Sequence, residues 1–199
     1  MSVSDVKRRG PRPAVARRQV VAVIGSGRRA DPRCCDDIGR LVAMLGFDLL
    51  TGGGSGVMEA VTRAFVETSP RRGIAIGVIP AVVEPLVAVE KREPTAVAYE
   101  PPDGYPNPWV ELAIFTHLPD SGPDGTLRSS RNHINVLSAD AVVALPGDAG
   151  TESEIWLAVQ YGVPIVAYGE HFDAARLHGI PQIQTLAQVR EFLSAIRRS

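Results

Sequence analysis

The stretch LPGDAGTESE, Leu145 to Glu154, decides how this chain is read. The apolar run AVVAL, Ala141 to Leu145, precedes it, and IWLAVQYGVPIVAYG follows. A buried strand therefore ends in a glycine-bearing turn that opens a helix. Such a turn has three readings: a cradle for a phosphate, a place where a bond is cut, or a tight connection only.

The same grammar recurs in both directions. QVVAVIGSG (Gln19 to Gly27) is a β-branched run ending in glycine, and Asp31 to Leu45 carries Cys35, Ile38, Leu41, Val42 and Leu45 at helical spacing, with Gly46 as its stop. FDLLTGGGSG (Phe47 to Gly56) is a second strand, followed by a helix over Val57 to Val66. GIAIGVIP (Gly73 to Pro80) and WVELAIFTHL (Trp109 to Leu118) are the third and fourth strands. The proline-rich segment Ala81 to Pro108 between them reads as a long surface loop. Leu127 to Leu137 reads as a helix, Ala141 to Leu145 as the fifth strand, Thr151 to Tyr161 as a helix ending at Gly162, and Pro164 to Gly169 as the sixth strand. The pattern closes with an amphipathic helix over Thr185 to Arg197, in which Leu186, Val189, Phe192, Leu193 and Ile196 face inward.

Apolar strands separated by helices mean an α/β protein, a Rossmann-like, doubly wound and mainly parallel sheet with helices on both faces. Ligands in such sheets bind beyond the carboxyl ends of the strands, where strand order reverses. The chain has 199 residues, room for one domain with a sizeable core. Residues 19–199 form that single nucleotide- or phosphate-binding domain. Residues 1–18, with Lys7, Arg8, Arg9, Arg12, Arg17 and Arg18, read as a disordered basic tail.

The formal net charge is −1, so no global field draws in nucleic acid. No apolar run has the length of a membrane span and the tail lacks a secretory core, so a cytoplasmic protein is expected. Cys34 and Cys35 are adjacent, which suits neither a disulfide nor a zinc site. His117, His133, His171 and His178 are scattered, and no metal site is expected.

Three glycine-bearing turns follow strands and share one sheet edge: Gly25-Ser26-Gly27, Gly52 to Gly56, and Gly147-Asp148-Ala149-Gly150-Thr151. Glycine permits sharp turns and close approach of a phosphate, and a helix start adds free N–H groups. Gly25, Ser26, Gly27, Gly53, Gly54, Gly56, Gly147, Asp148, Ala149, Gly150 and Thr151, with Met58, are therefore the expected ligand-binding residues. The dinucleotide fingerprint and the P-loop lysine are both absent.

Thr151 and Glu154 have the spacing of a capping box. Alternatively, Glu154 is a carboxylate beside a phosphate loop, able to steady positive charge on a ribose or to activate water. Arg128 and Arg131 share a face if their segment is helical and suit a phosphate. Asn132 and Asn135 offer bonds to a base or pterin, and Tyr105 and Trp109 a stacking surface.

Three stretches, TGGGSGVMEAV (Thr51 to Val61), RSSRNHINVLSADAVVALPG (Arg128 to Gly147) and PGDAGTESEI (Pro146 to Ile155), resemble the LOG-like, Rossmann-type superfamily. That group was formerly labelled "possible lysine decarboxylase" and holds the cytokinin-activating phosphoribohydrolases and the molybdenum cofactor carrier proteins. The likeness runs from Gln19 to Gly169. It implies that the loop written PGGxGTxxE in the family, here Pro146 to Glu154, binds a phosphate. In the hydrolases the closing glutamate and an upstream arginine serve cleavage of the N-glycosidic bond of a nucleoside 5′-monophosphate. Those roles fall on Glu154 and Arg131. Asn132 follows Arg131 where the hydrolases carry lysine, and the wording is closer to the carrier branch. Asp148 replaces the second glycine and Ser153 one of the paired glutamates, both departures from the hydrolase pattern.

The resemblance thus implies a binding protein for a phosphorylated nucleotide-like or pterin ligand. It requires no cofactor, and its ligand is the molybdenum cofactor or a nucleoside monophosphate. The alternative is a nucleoside 5′-monophosphate phosphoribohydrolase. A homodimer or higher homo-oligomer is expected by the same resemblance, with no specific nucleic-acid or membrane partner. Lys7 and Lys91, the only lysines, give the decarboxylase label no support.

Overall fold

A computed structural model describes residues 17–81, 99–170 and 172–197. Its strands are β1 (Val20–Ile24), β2 (Asp48–Thr51), β3 (Ala75–Ile79), β4 (Leu112–Phe115), β5 (Ala141–Ala144), β6 (Ile165–Tyr168) and β7 (Gln182–Ile183). They form one parallel sheet in the order β4-β3-β2-β1-β5-β6-β7. The helices are α1 (Pro32–Leu45), α2 (Val57–Val66), α3 (Asn132–Leu137), α4 (Ala149–Tyr161) and α5 (Leu186–Ile196). The expected Rossmann-like, doubly wound architecture is the one observed.

Alternation along the central strands builds the two faces. Val21 and Val23 of β1 join Ala141 and Val143 of β5 in a core covered by α1, α2 and α5. Ala22 and Ile24 join Val142 and Ala144 in a second core, with Val136 of α3 and Ile155, Leu157 and Ala158 of α4. One strand residue in two faces each core, so neither side of β1 or β5 meets water.

Local signals explain the ends of the helices. Asp31 caps α1 by accepting from the N–H groups of Arg33 and Cys34, and Gly46 ends that helix at φ 78°. Gly162 ends α4 at φ 67°. Thr185 and Gln188 form a capping box on α5, whose Val189 and Leu193 are fully buried.

Several expectations are corrected. Helix α3 starts at Asn132 rather than Leu127, because residues 127–131 form turns tied by the Asp120–Ser130 bridge. Strand β7 is an addition, too short and too polar to show an apolar run. The fourth strand shrinks to Leu112–Phe115, an edge strand with three exposed residues. Arg17 and Arg18 are not free tail residues: Arg17 pairs with Asp140, and Arg18 binds Asp48 at 2.6 and 2.5 Å. The rest of the basic segment, most of the proline-rich loop with Lys91, and His171 lie outside the described residues.

Candidate functional site

Strand order reverses between β1 and β5, so the loops after these two strands diverge and leave a crevice. Ser26 is the pivot. Its N–H donates to the Pro146 carbonyl at 3.2 Å, and its own carbonyl accepts from Val57 N at 2.9 Å. Its hydroxyl accepts the N–H groups of Arg28 and Arg29, both at 3.2 Å, and donates to Asp148 Oδ2 at 3.3 Å. One buried serine thus joins the β1 loop, the start of α2 and the start of α4.

A cleft of about 630 Å³ opens there. Of the expected ligand-binding residues, Gly25, Ser26, Gly27, Met58, Asn132, Asp148, Ala149, Gly150 and Thr151 line it. Arg131 and Glu154, the residues that would be catalytic under the hydrolase alternative, line it as well. Arg128 is exposed on a turn outside the cleft, since the helix that would have aligned it with Arg131 begins four residues later. Gly53, Gly54, Gly56 and Gly147 do not line the cleft either.

These glycines are used for packing. Gly56 has φ 66°, and a Cβ there would meet the Ser26 carbonyl oxygen. Gly53 and Gly54 receive Asn107: its backbone N–H reaches Gly53 O at 2.7 Å and its side-chain amide reaches Gly54 O at 2.9 Å. Gly147 lies against the Thr151 side chain. Of the second glycine run, only Gly52 faces the cleft.

The capping box that the spacing of Thr151 and Glu154 allowed is not formed. Helix α4 begins at Ala149 with Asp148 as its cap residue, so Thr151 already sits inside the first turn. Thr151 is 4% exposed, and its hydroxyl has no hydrogen-bond partner. The N–H groups of Ala149, Gly150 and Thr151 have no carbonyl one turn back within the helix. Four donors therefore gather where α4 meets the cleft.

Arg131 is 5% exposed and spans the floor. Its Nη1 donates to the carbonyls of Gly52 at 2.7 Å and Val78 at 2.6 Å, and its Cζ lies 5.7 Å from the centre of the Tyr105 ring. Its buried Nε has no partner. Glu154 accepts from Asn135 Nδ2 at 3.0 Å. Burial pushes the Glu154 carboxyl above its ordinary value, against the Asn135 hydrogen bond and the charge of Arg131, which both act downward.

The sequence reading named no role for Arg28, Arg29, Ser121, Gly122 and Pro123, all of which line the cleft. Ser153, in place of a family glutamate, donates to the Gly122 carbonyl at 2.9 Å and so fixes that second wall. Tyr105 lines the cleft, while Trp109 does not. His133 bonds to Tyr161 and to the Leu127 carbonyl, tying α3 to α4 away from the cleft. Cys35 is buried, with its thiol pushed up to about 12 mainly by that burial, and burial also raises Cys34. Neither is an activated nucleophile. Among the described residues no group of three His, Cys, Asp or Glu side chains is placed to hold a metal ion, and no helix is long and apolar enough to cross a membrane.

A seven-stranded parallel sheet with a polar cleft at its strand-order reversal defines a Rossmann-like α/β protein. The profile of the SLOG cluster4 family matches residues 18–193, and the chain belongs to that family, in line with the LOG-like resemblance. No curated protein matches the sequence.

Among solved structures, the molybdenum cofactor binding protein of the phototrophic bacterium Rippkaea orientalis is similar, with TM-score 0.67 and 24% identity over 92% of this chain and 99% of that one. The molybdenum cofactor carrier protein of Chlamydomonas reinhardtii aligns with TM-score 0.63 and 23% identity, over 92% of this chain and 100% of its own. DNA processing protein A of Helicobacter pylori, described for its single-stranded DNA binding, aligns with TM-score 0.60 and 16% identity, over 89% of this chain and 80% of that one. At these identities the likeness is one of fold.

Proposed function

We propose that this chain binds a phosphorylated nucleotide-like or pterin ligand and carries it unchanged, in the manner of the molybdenum cofactor carriers whose fold it shares. The observation that carries this reading is the Thr151 hydroxyl. It is buried and has no partner, and it belongs to a residue lining a cleft that also collects the first turn of α4. A buried hydroxyl without a partner costs stability, roughly 1–3 kcal/mol, and a ligand acceptor removes that cost. The cleft volume falls within the range of about 300–1,000 Å³ usual for small-molecule sites.

Cleavage of a nucleoside 5′-monophosphate is the second reading, favoured by one observation. Glu154 lines the cleft with its carboxyl raised by burial, a property suited to a general acid. Arg131 weighs against it. Its Nη1 is committed to two backbone carbonyls, and no nitrogen of it lies within ion-pair distance of Glu154.

A homodimer or larger homo-oligomer belongs to the proposal. It is supported by Leu137, Trp156, Val159 and Tyr161, large apolar side chains of α3 and α4 that stay exposed.

The test is calorimetric titration of purified protein with a panel of nucleoside 5′-monophosphates and with a phosphorylated pterin, alongside a chromatographic assay for released base. Saturable binding without release is the expected result. Release that Glu154→Gln abolishes would establish the hydrolase instead. Neither binding nor release would sink both readings.

A further inference from the structure

The two loops that meet at Ser26 bring opposite charges to the cleft, and their placement bears on which way round a ligand lies. Family likeness puts a phosphate on the first turn of α4. Asp148 stands at the head of that turn, exposed and lining the cleft. Its Oδ2 takes the Ser26 hydroxyl at 3.3 Å, and its Oδ1 has no partner among the described residues. No arginine nitrogen comes within ion-pair distance of it among the described residues. A phosphate dianion resting on this turn would meet an uncompensated carboxylate, and like charges at close range repel.

The turn after β1, on the other side of the Ser26 hydroxyl, has the complementary property. Arg28 and Arg29 follow β1, line the same cleft, and are exposed. Among the described residues neither has a carboxylate within ion-pair distance. The Ser26 hydroxyl fixes their turn by accepting both of their N–H groups. That hydroxyl then spends its single hydrogen on Asp148, so the arginine turn and the carboxylate are joined through one oxygen. Guanidinium pairs suit phosphate oxygens, whereas a carboxylate suits a neutral donor.

Resting on the binding function proposed above, we infer that the phosphate of the ligand lies on Arg28 and Arg29 at the β1 turn. Asp148 and the first turn of α4 then hold a neutral part of the ligand that both donates and accepts hydrogen bonds. Asp148 is in this reading a specificity-determining residue, and the ligand lies reversed relative to the orientation the glycine loop implies.

The experiment titrates adenosine, guanosine, cytidine, uridine and neopterin, and the monophosphate of each, into wild-type protein, the Arg28→Ala/Arg29→Ala double variant and Asp148→Asn. The ratio of affinities, phosphorylated over unphosphorylated, is the readout. Wild type should prefer the phosphorylated form by about tenfold or more, and the arginine variant should bring the ratio to about one. Asp148→Asn should weaken both forms alike and leave the ratio within about twofold.

A ratio that survives loss of both arginines overturns the inference. So does a ratio that rises about tenfold in Asp148→Asn, since that places the phosphate on the α4 turn. Circular dichroism of the variants separates loss of fold from loss of contact, and both arginines are exposed, so folding should persist. Absence of binding by every compound overturns this inference together with the function it rests on. Binding with an arginine-independent ratio overturns this inference alone.

Discussion

The Arg131 guanidinium occupies the space in which a side chain on Gly52 would begin. A Cβ built on Gly52 meets Nη1, and it comes within 2.7 Å of Nη2 and 2.8 Å of the Met58 sulfur. The same Nη1 holds the Gly52 and Val78 carbonyls, so the loop after β2 and the end of β3 are fastened to one buried cation. Gly52→Ala should push the guanidinium off those carbonyls and cost about 1–3 kcal/mol. Arg131→Ala should cost more, about 3–5 kcal/mol, because two carbonyls lose their donor and a void opens under Tyr105. Urea denaturation at neutral pH checks both, and a loss under about 0.5 kcal/mol for Arg131→Ala would show that the guanidinium does not hold the floor.

Asp48 anchors the start of the domain and should shape its acid limb. Burial alone would raise its carboxyl. The Arg18 hydrogen bonds, the Ile74 N–H and the Arg18 charge together outweigh burial and hold it below the ordinary carboxylate value. A carboxyl depressed in the folded state contributes stability above its unfolded pKa, and that contribution is lost as pH falls through the folded one. Asp48→Asn should therefore flatten the decline in stability below about pH 4. At neutral pH it should cost roughly 1–2 kcal/mol, a modest figure because Arg18 is largely exposed. Urea midpoints of both proteins across the acid range decide this, and parallel curves would refute it.

Glu154 should act with the opposite sign. Its carboxyl is raised in the folded state, so its contribution is complete below the unfolded pKa and is lost as pH rises through the folded one. The window lies above the ordinary carboxylate range. Glu154→Gln keeps an acceptor for Asn135 and removes the charge. The variant should match wild type in acid and become the more thermostable of the two as pH rises. Thermal midpoints from acid to mildly alkaline pH test the sign, and a variant that loses ground with rising pH would contradict it.

The sheet was legible because period and position agree. Val21, Ala22, Val23 and Ile24 form an uninterrupted apolar run, and α1 repeats its buried residues at helical spacing. The site was legible in part because the rule that places ligands at a strand-order reversal needs only the alternation of elements. Glycine gives the same signal for a phosphate cradle and for close packing, so Gly53, Gly54 and Gly56 read like Gly25 although their backbones serve Asn107 and Ser26. The spacing of Thr151 and Glu154 satisfied a capping box that a cap residue upstream, Asp148, made unnecessary. Arg28 and Arg29 carried no signal at all, because a loop arginine reads as surface charge until the topology sets β1 beside β5.

Thr151 separates stability from binding most cleanly. Its hydroxyl is buried without a partner in the first turn of α4. Thr151→Val keeps the shape and deletes the unpaired polar atom. A hydroxyl that serves only the fold would be missed, whereas an unpartnered one costs the free protein about 1 kcal/mol or more. The variant should therefore be as stable as wild type, or up to roughly 1 kcal/mol more stable, in the absence of ligand. Its affinity for the phosphorylated ligand should fall by about tenfold, the worth of one hydrogen bond made in a dry site. Paired thermal melts, with and without the tightest-binding nucleoside or pterin monophosphate, read both quantities in one experiment. Ligand-induced stabilisation should shrink in the variant while the unliganded midpoint holds or rises. A lower unliganded midpoint with unchanged affinity would make Thr151 a structural residue and remove the observation on which the binding function rests.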